Sequence, residues 1–283
     1  MIALTSAVAT PPGKQRSVGW VEQRLALVWF PDGLASQDNA KPNALNLSCS
    51  VPESIVIRRN NMTNANMQTL EKTKDGFSED LFFQIRDRSF EAVRQIAAQI
   101  QVGMLEEDAN QMAIDTLREM GTRQGWHKPY IRFGANTIKT FGADSELGIR
   151  LGENDIYFID IGPVWEQYEG DAGETFVTGN NPEFQRCAQD VKQIFQQVSD
   201  KWKQEQLSGE ALYQFAEITS QQMGWVLNLD LSGHRLGDFP HDVHYAGGLT
   251  TIPFCPSPKL WVLEIQIRHP ELPFGAFYED LLI

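Results

Sequence analysis

The chain is poor in histidine and cysteine, short of basic charge and free of long apolar runs. Its three cysteines, Cys49, Cys187 and Cys255, are widely spaced and form no CxxC pair. That excludes a disulfide framework or a zinc knuckle and fits a reducing, cytoplasmic setting. Lys and Arg number 24 against 37 Asp and Glu, a formal charge of −13. A nucleic-acid groove or an anionic membrane surface would be repelled by that field, so neither is expected as a partner. No segment approaches the roughly 18 apolar residues of a membrane span. The opening MIALTSAVATPPGK lacks the basic start and long apolar stretch of a secretory signal, so none is expected. Small molecules, peptides and cations remain as partners, and a homodimer is left open.

What is present is a 283-residue chain with 42% apolar content, ample for a buried core. Residues 1–75 are rich in Ser, Asn, Ala and Pro, with LALVWF and SIVI as their only short apolar runs. They read as an N-terminal extension, loosely ordered or packed on a larger body. Residues 76–283 read as the compact domain. EDLFFQIRDRSFEAVRQIAAQI and LEEDANQMAIDTLREMG carry apolar residues at helical spacing and are predicted as two helices joined around Gly103. PYIRFG, DIYFIDIGPVW and GETFVTG are short, apolar and β-branched or aromatic, and are predicted as strands. The outline then recurs, with helices in PEFQRCAQDVKQIFQQVSDKWKQEQ and GEALYQFAEITSQQMG, and strands in LWVLEIQI and GAFYEDLLI. An α+β fold with an internal pseudo-repeat and a site between its halves is expected. Trp165, Tyr168 and Trp261 are expected to pack a core or a pocket wall.

Acids stand in the middle of these apolar strands. Asp160 and Asp171 are eleven residues apart, and a turn centred on Trp165 and Glu166 would set them directly opposite each other on an antiparallel ladder. Glu264 and Glu279, fifteen apart around a connection at Pro270 to Pro273, repeat the pattern. Directly opposed carboxylates lie about 5 Å apart at Cβ and repel, and burial raises that cost. Two divalent cations about 3.5–4 Å apart would satisfy four carboxylates and an imidazole, and would hold a bridging water as hydroxide. The plainer alternative is that the acids face solvent or pair with Arg and Lys. The imidazole is supplied by SGHRLGDFPHD, which places His234 and His241 seven residues apart in a chain with five histidines.

Asp160, Asp171, His234, Glu264 and Glu279, in that order and spacing, resemble the pita-bread metallopeptidases of family M24, which include methionine aminopeptidase, aminopeptidase P and prolidase. The resemblance covers about residues 80–283, and the HDV after Pro240 is more similar to the aminopeptidase P and prolidase branch. It implies the pita-bread fold, two pseudo-symmetric halves of helices packed on a curved antiparallel sheet. It implies two divalent metal ions, drawn from Mn, Co, Fe or Zn with Mn favoured. Asp160 would chelate one ion, Asp171 and Glu279 would bridge both, and His234 and Glu264 would be terminal ligands. His241 would stay off the metal and hydrogen-bond the substrate carbonyl or the tetrahedral intermediate. Glu264 would also move the proton between the attacking water and the leaving amine. The expected activity is a dinuclear aminopeptidase or dipeptidase with a leaning to Xaa-Pro bonds. The alternative is a metal-dependent hydrolase of a non-peptide amide or other small molecule. A binding module without catalysis is disfavoured, because all five ligand positions are kept.

Some positions depart from the family pattern. After the Gly134 to Asn136 segment, Phe141 stands where active peptidases of the family carry a third histidine. His127, His244 and His269 are the remaining histidines, and each reads as a surface or loop residue, the alternative being that one of them substitutes for that third histidine. Arg235 follows His234 where the family has a small residue, and either binds a substrate carboxylate or answers Glu174 or Asp238 structurally. The N-terminal extension is far shorter than the domain that aminopeptidase P and prolidase place ahead of the catalytic half.

Overall fold

A computed structural model describes residues 70–122, 124–240 and 247–283. The helices begin where local chemistry starts them. Ser78 accepts the Leu81 N–H at 3.2 Å and opens α1 (Glu79–Ala97), whose first-turn acids Glu79 and Asp80 suit the positive end of the helix. Phe82, Ile85, Val93 and Ile96 recur on one face of it and are buried. After Gly103, α2 (Glu106–Glu119) follows. In the second half Asn181 caps α3 (Pro182–Glu205), with a proline at the first helical position, and Ser208 caps α4 (Gly209–Gln222). The order of two helices followed by strands therefore occurs twice.

The strands are β1 (Gln124–Gly125), β2 (Tyr130–Phe133), β3 (Asp155–Ile161), β4 (Pro163–Trp165), β5 (Tyr168–Glu169), β6 (Ala172–Thr178), β7 (Val226–Leu227), β8 (Val262–Arg268) and β9 (Gly275–Leu281). Six of them form one antiparallel sheet in the order β2-β3-β6-β9-β8-β7, and β1-β4-β5 form a smaller one. α1 packs on β3 and β6, α2 on β2, and α3 on β8 and β9. Period-two alternation sorts the main sheet. Ile159, Ile161, Leu263, Ile265 and Ala276 are fully buried in the helix-side cores, while Asp160, Glu264 and Glu279 take the opposite face. Burying a large apolar side chain contributes about 1.5–3 kcal/mol, so the helix side supplies the stability that the acidic face costs.

The three aromatics expected in cores or walls are buried, Trp165 and Tyr168 in the first core and Trp261 in the second. Residues just after position 70 lie against the second half. The Glu71 carboxylate accepts the Ser257 N–H and hydroxyl at 2.7 Å each and the Trp261 indole N–H at 2.6 Å. Among the described residues no helix is long and apolar enough to cross a membrane.

Candidate metal centre

Four neighbouring strands bring the acids into one row. Asp160 on β3 pairs with Gly173 on β6, Gly173 with Glu279 on β9, and Glu279 with Glu264 on β8. Glu264 and Glu279 are thus directly opposed, as their odd spacing implies. Asp160 and Asp171 are not. The turn centres one residue later than expected, on Glu166 and Gln167, which adopt left-handed φ values of 51° and 70° and pair Trp165 with Tyr168. Asp171 therefore sits diagonally, two residues before Asp160's partner Gly173. Because the turn is centred between two residues, the odd separation keeps both aspartates on one face, and the offset along the strand belongs to the turn. Gly173 is a required gap in the row, because a Cβ there would overlap the Phe277 ring and stand 2.8 Å from Glu279 Oε1.

His234 arrives from the segment after β7, held along β8 by the Val262 N–H, which donates to the His234 carbonyl at 2.9 Å. Its Nε2 lies 3.0 Å from Asp171 Oδ2 and 3.5 Å from Glu264 Oε1, and its Nδ1 lies 2.9 Å from the Arg235 carbonyl. Tyr213 braces this corner from α4. Its hydroxyl accepts the Gly233 N–H at 2.6 Å and donates to the Glu264 carbonyl at 2.8 Å.

A second imidazole faces the same acids. His127, expected at the surface or in a loop, has a side chain only 7% exposed, with Nε2 3.5 Å from Asp160 Oδ1 and 3.6 Å from Asp171 Oδ1. The small sheet carries it there, because β1 pairs with β4 and Trp126 N–H donates to the Gly162 carbonyl at 2.9 Å. Nothing local in GWHKPY signals this, since its partners lie more than thirty residues away. His269 does sit in the β8–β9 loop, where its Nδ1 accepts the Glu271 and Leu272 N–H groups. His241 and His244 lie outside the described residues.

Burial sets the electrostatics of this cluster. It pushes Asp160 up to about 7, with Asp171 adding, and Glu264 up to about 8, with Asp171 and Asp160 adding. Glu279 is driven well above the carboxylate range by burial and by the neighbouring acids. Asp171 alone is lowered, because burial is outweighed by His127 and His234. Burial pulls both imidazoles down, but the adjoining carboxylates outweigh it and hold each at about 9. Among the described residues Asp171 Oδ1 and Glu279 Oε1 are buried without a hydrogen-bond partner. Orphaned, buried carboxylate oxygens are costly, and a cation removes that cost. The donor set fits one. Two groups, His127 with Asp160 and Asp171, and Asp171 with His234 and Glu264, each bring ligand atoms within 4.8 Å of one another, and Asp171 belongs to both.

A cavity of about 270 Å³ opens over the acids, walled by Trp126, Phe141, Leu231 and Ser232. Phe141 is 46% exposed, and its ring centroid lies 5.5 Å from that of His127. Arg235 is not in this wall. It is 4% exposed and donates to the carbonyls of Leu236, Glu71 and Lys72, so it clamps backbone. Glu174, considered as its partner, pairs with Lys192 instead.

Comparison with known proteins bears on this geometry. The model of metallopeptidase family M24 matches residues 83–282. No curated protein matches the sequence. Among solved structures, the chain is similar to the prolidase from Pyrococcus furiosus, with 18% identity and a TM-score of 0.61 over 76% of this chain and 62% of that one. It is also similar to the X-Pro aminopeptidase from Thermotoga maritima, with 19% identity and a TM-score of 0.60 over 76% and 63%. The Xaa-Pro dipeptidase from Bacillus anthracis gives 20% identity and a TM-score of 0.56 over 77% and 60%. The likeness is one of fold, the pita-bread architecture expected from the sequence. The chain spans about three-fifths of the length of these relatives.

Proposed function

The chain belongs to metallopeptidase family M24, and we propose that it is a two-metal aminopeptidase or dipeptidase that removes an N-terminal residue from short peptides, favouring X-Pro bonds. The observation that carries this reading is the pair of donor groups sharing Asp171. Asp160, Asp171 and Glu279 would hold one divalent ion, and Asp171, Glu279, His234 and Glu264 the other. When bound, the two ions supply a water acidic enough to lose a proton near neutral pH and a Lewis acid for the scissile carbonyl. Glu264 takes the proton of the attacking water on its carboxylate and returns it to the leaving amine. His241, seven residues beyond His234, offers an N–H to the carbonyl oxygen. Trp126, Phe141 and Leu231 form an apolar wall suited to a proline ring or an apolar first side chain. The likeness to a prolidase, an X-Pro aminopeptidase and an Xaa-Pro dipeptidase supports the same preference. Mn²⁺, Fe²⁺, Co²⁺ and Zn²⁺ all suit a site of carboxylates with imidazole. The free thiols of Cys187 and Cys255 fit a cytoplasmic setting.

Phe141 favours a second reading. A ring with no hydrogen-bond donor at the cavity rim suits a non-peptide amide on the same metal site. Elemental analysis of protein purified without chelator, followed by turnover of a panel of N-terminally free peptides after Mn²⁺, Co²⁺ or Zn²⁺ reconstitution, separates the two. Two ions with cleavage of X-Pro peptides support the peptidase. Two ions with no peptide cleavage support the second reading, and no stoichiometric metal refutes both.

A further inference from the structure

We propose that His127 is a sixth protein ligand of the metal centre, completing the ion held by Asp160 so that each of the two ions carries one imidazole. The inference rests on the two-metal reading above and adds a residue to it. His127 and His234 are built alike. The Nδ1 of His127 lies 2.7 Å from the carbonyl of the next residue, Lys128, as that of His234 lies 2.9 Å from the Arg235 carbonyl. A ring N–H committed to a carbonyl leaves the other nitrogen with a free lone pair, the arrangement that orients metal-binding histidines. Each Nε2 then faces Asp171, His127 toward Oδ1 and His234 toward Oδ2.

The distances suit ligands that share an ion better than a direct hydrogen bond. Donors placed about 2.0–2.2 Å from one cation stand roughly 3–3.5 Å apart. Nε2 of His127 is 3.5 Å from Asp160 Oδ1 and 3.6 Å from Asp171 Oδ1, and the latter oxygen is buried without a hydrogen-bond partner among the described residues.

The imidazole is also fixed in place. A Cβ at Gly162 would overlap the His127 ring and stand 2.7 Å from the Trp126 indole nitrogen, so the chain keeps that position open for them. The Trp126 indole N–H donates to the Gly170 carbonyl at 2.9 Å. Its ring stands between the two imidazoles, with centroids 4.3 Å from His127 and 4.9 Å from His234. A histidine serving only to touch substrate needs a nitrogen free toward the cavity mouth. In His127 one nitrogen is spent on Lys128 and the other faces the carboxylates. An imidazole on both ions moves metal preference from Mn²⁺ toward Fe²⁺, Co²⁺ and Zn²⁺.

Two measurements on the full chain test this without reference to turnover. In Zn²⁺-loaded protein labelled with ¹⁵N at histidine, two imidazoles carrying metal-shifted Nε2 resonances are expected, and a single one overturns the proposal. In a competitive chelator titration, His127→Ala is expected to weaken one of two Zn²⁺ sites at least tenfold, roughly the lower bound for losing even an outer-shell partner. Unchanged affinity at both sites overturns the proposal while leaving the two-metal reading intact. A wild-type chain that binds no stoichiometric Zn²⁺, Co²⁺ or Mn²⁺ refutes that reading and this one with it. Should the variant fail to fold, the resonance count in the wild type decides.

Discussion

The two halves of the sheet deliver carboxylates to one cavity by different local geometries. In the second half β8 and β9 form an uninterrupted hairpin, and Glu264 stands directly across from Glu279. In the first half the chain leaves β3, makes the β4–β5 excursion into a second sheet around the turn at Glu166 and Gln167, and returns as β6 in the same register, with Asp160 facing Gly173 and Asp171 offset by the place of that turn. An unbroken hairpin transmits its register to the acids. The excursion leaves the register unchanged but opens an edge, and β1 takes that edge and carries Trp126 and His127 to the site. The second half makes no such detour, and its histidine comes instead from a segment laid along β8 and braced by Tyr213.

The strongest way to break this comparison is to remove the residue both halves share. Asp171→Ala is expected to abolish stoichiometric binding of two metals and with it turnover; two tightly held ions by elemental analysis would contradict the assignment. A residue assigned off the metal should behave differently. His241→Ala is expected to retain both ions while kcat falls about 10²–10³-fold, the usual loss for one oxyanion donor, and wild-type rates would show that the role lies elsewhere. Tyr213→Phe probes the second half alone. It leaves the Gly233 N–H and the Glu264 carbonyl without their hydroxyl, at a cost of about 1–3 kcal/mol. Thermal unfolding should show that loss, and chelator titration should place the weakened ion on the His234 side; an unshifted melting temperature would deny Tyr213 its bracing role.

A last effect, read in melting temperature, concerns pH in the metal-free chain. Asp160 and Glu264 titrate at about 7 and 8, above ordinary carboxyls, and His127 and His234 at about 9, above ordinary imidazole. All four make the folded state bind more protons than the unfolded state between about pH 4 and 9, so stability falls as pH rises through that window. The acids lose their advantage first and the histidines between about pH 6.5 and 9. Asp171, lowered, acts oppositely but only near its ordinary range at acid pH. Melting temperature of chelator-treated protein should therefore decline from pH 5 to 9, and metal should flatten the decline. A rise over that interval would refute the electrostatic account.

Much of this was legible in the chain. Helical spacing in EDLFFQIRDRSFEAVRQI is a local signal, and the helix follows it. Acids inside apolar strands were legible as a cost needing an answer, and the connection at Pro270 to Pro273, midway between them, placed Glu264 opposite Glu279. Parity alone left the first pair undetermined, because any even shift keeps both aspartates on one face, and the left-handed residues Glu166 and Gln167 chose the shift. Arg235 likewise read as a candidate for substrate or as a structural partner of Glu174 or Asp238, and packing turned it to the Leu236, Glu71 and Lys72 carbonyls with the Asp238 charge nearby.

The helices, the apolar strands, the acids within them and the order of residues that resembles family M24 are all written in the chain. These rest on periodicity and spacing, which are properties of neighbours along the chain. Tertiary structure alone decided the offset of Asp171, the gap at Gly173 and the arrival of His127. Each depends on residues distant in sequence meeting in a buried space, where desolvation and close approach set both position and protonation.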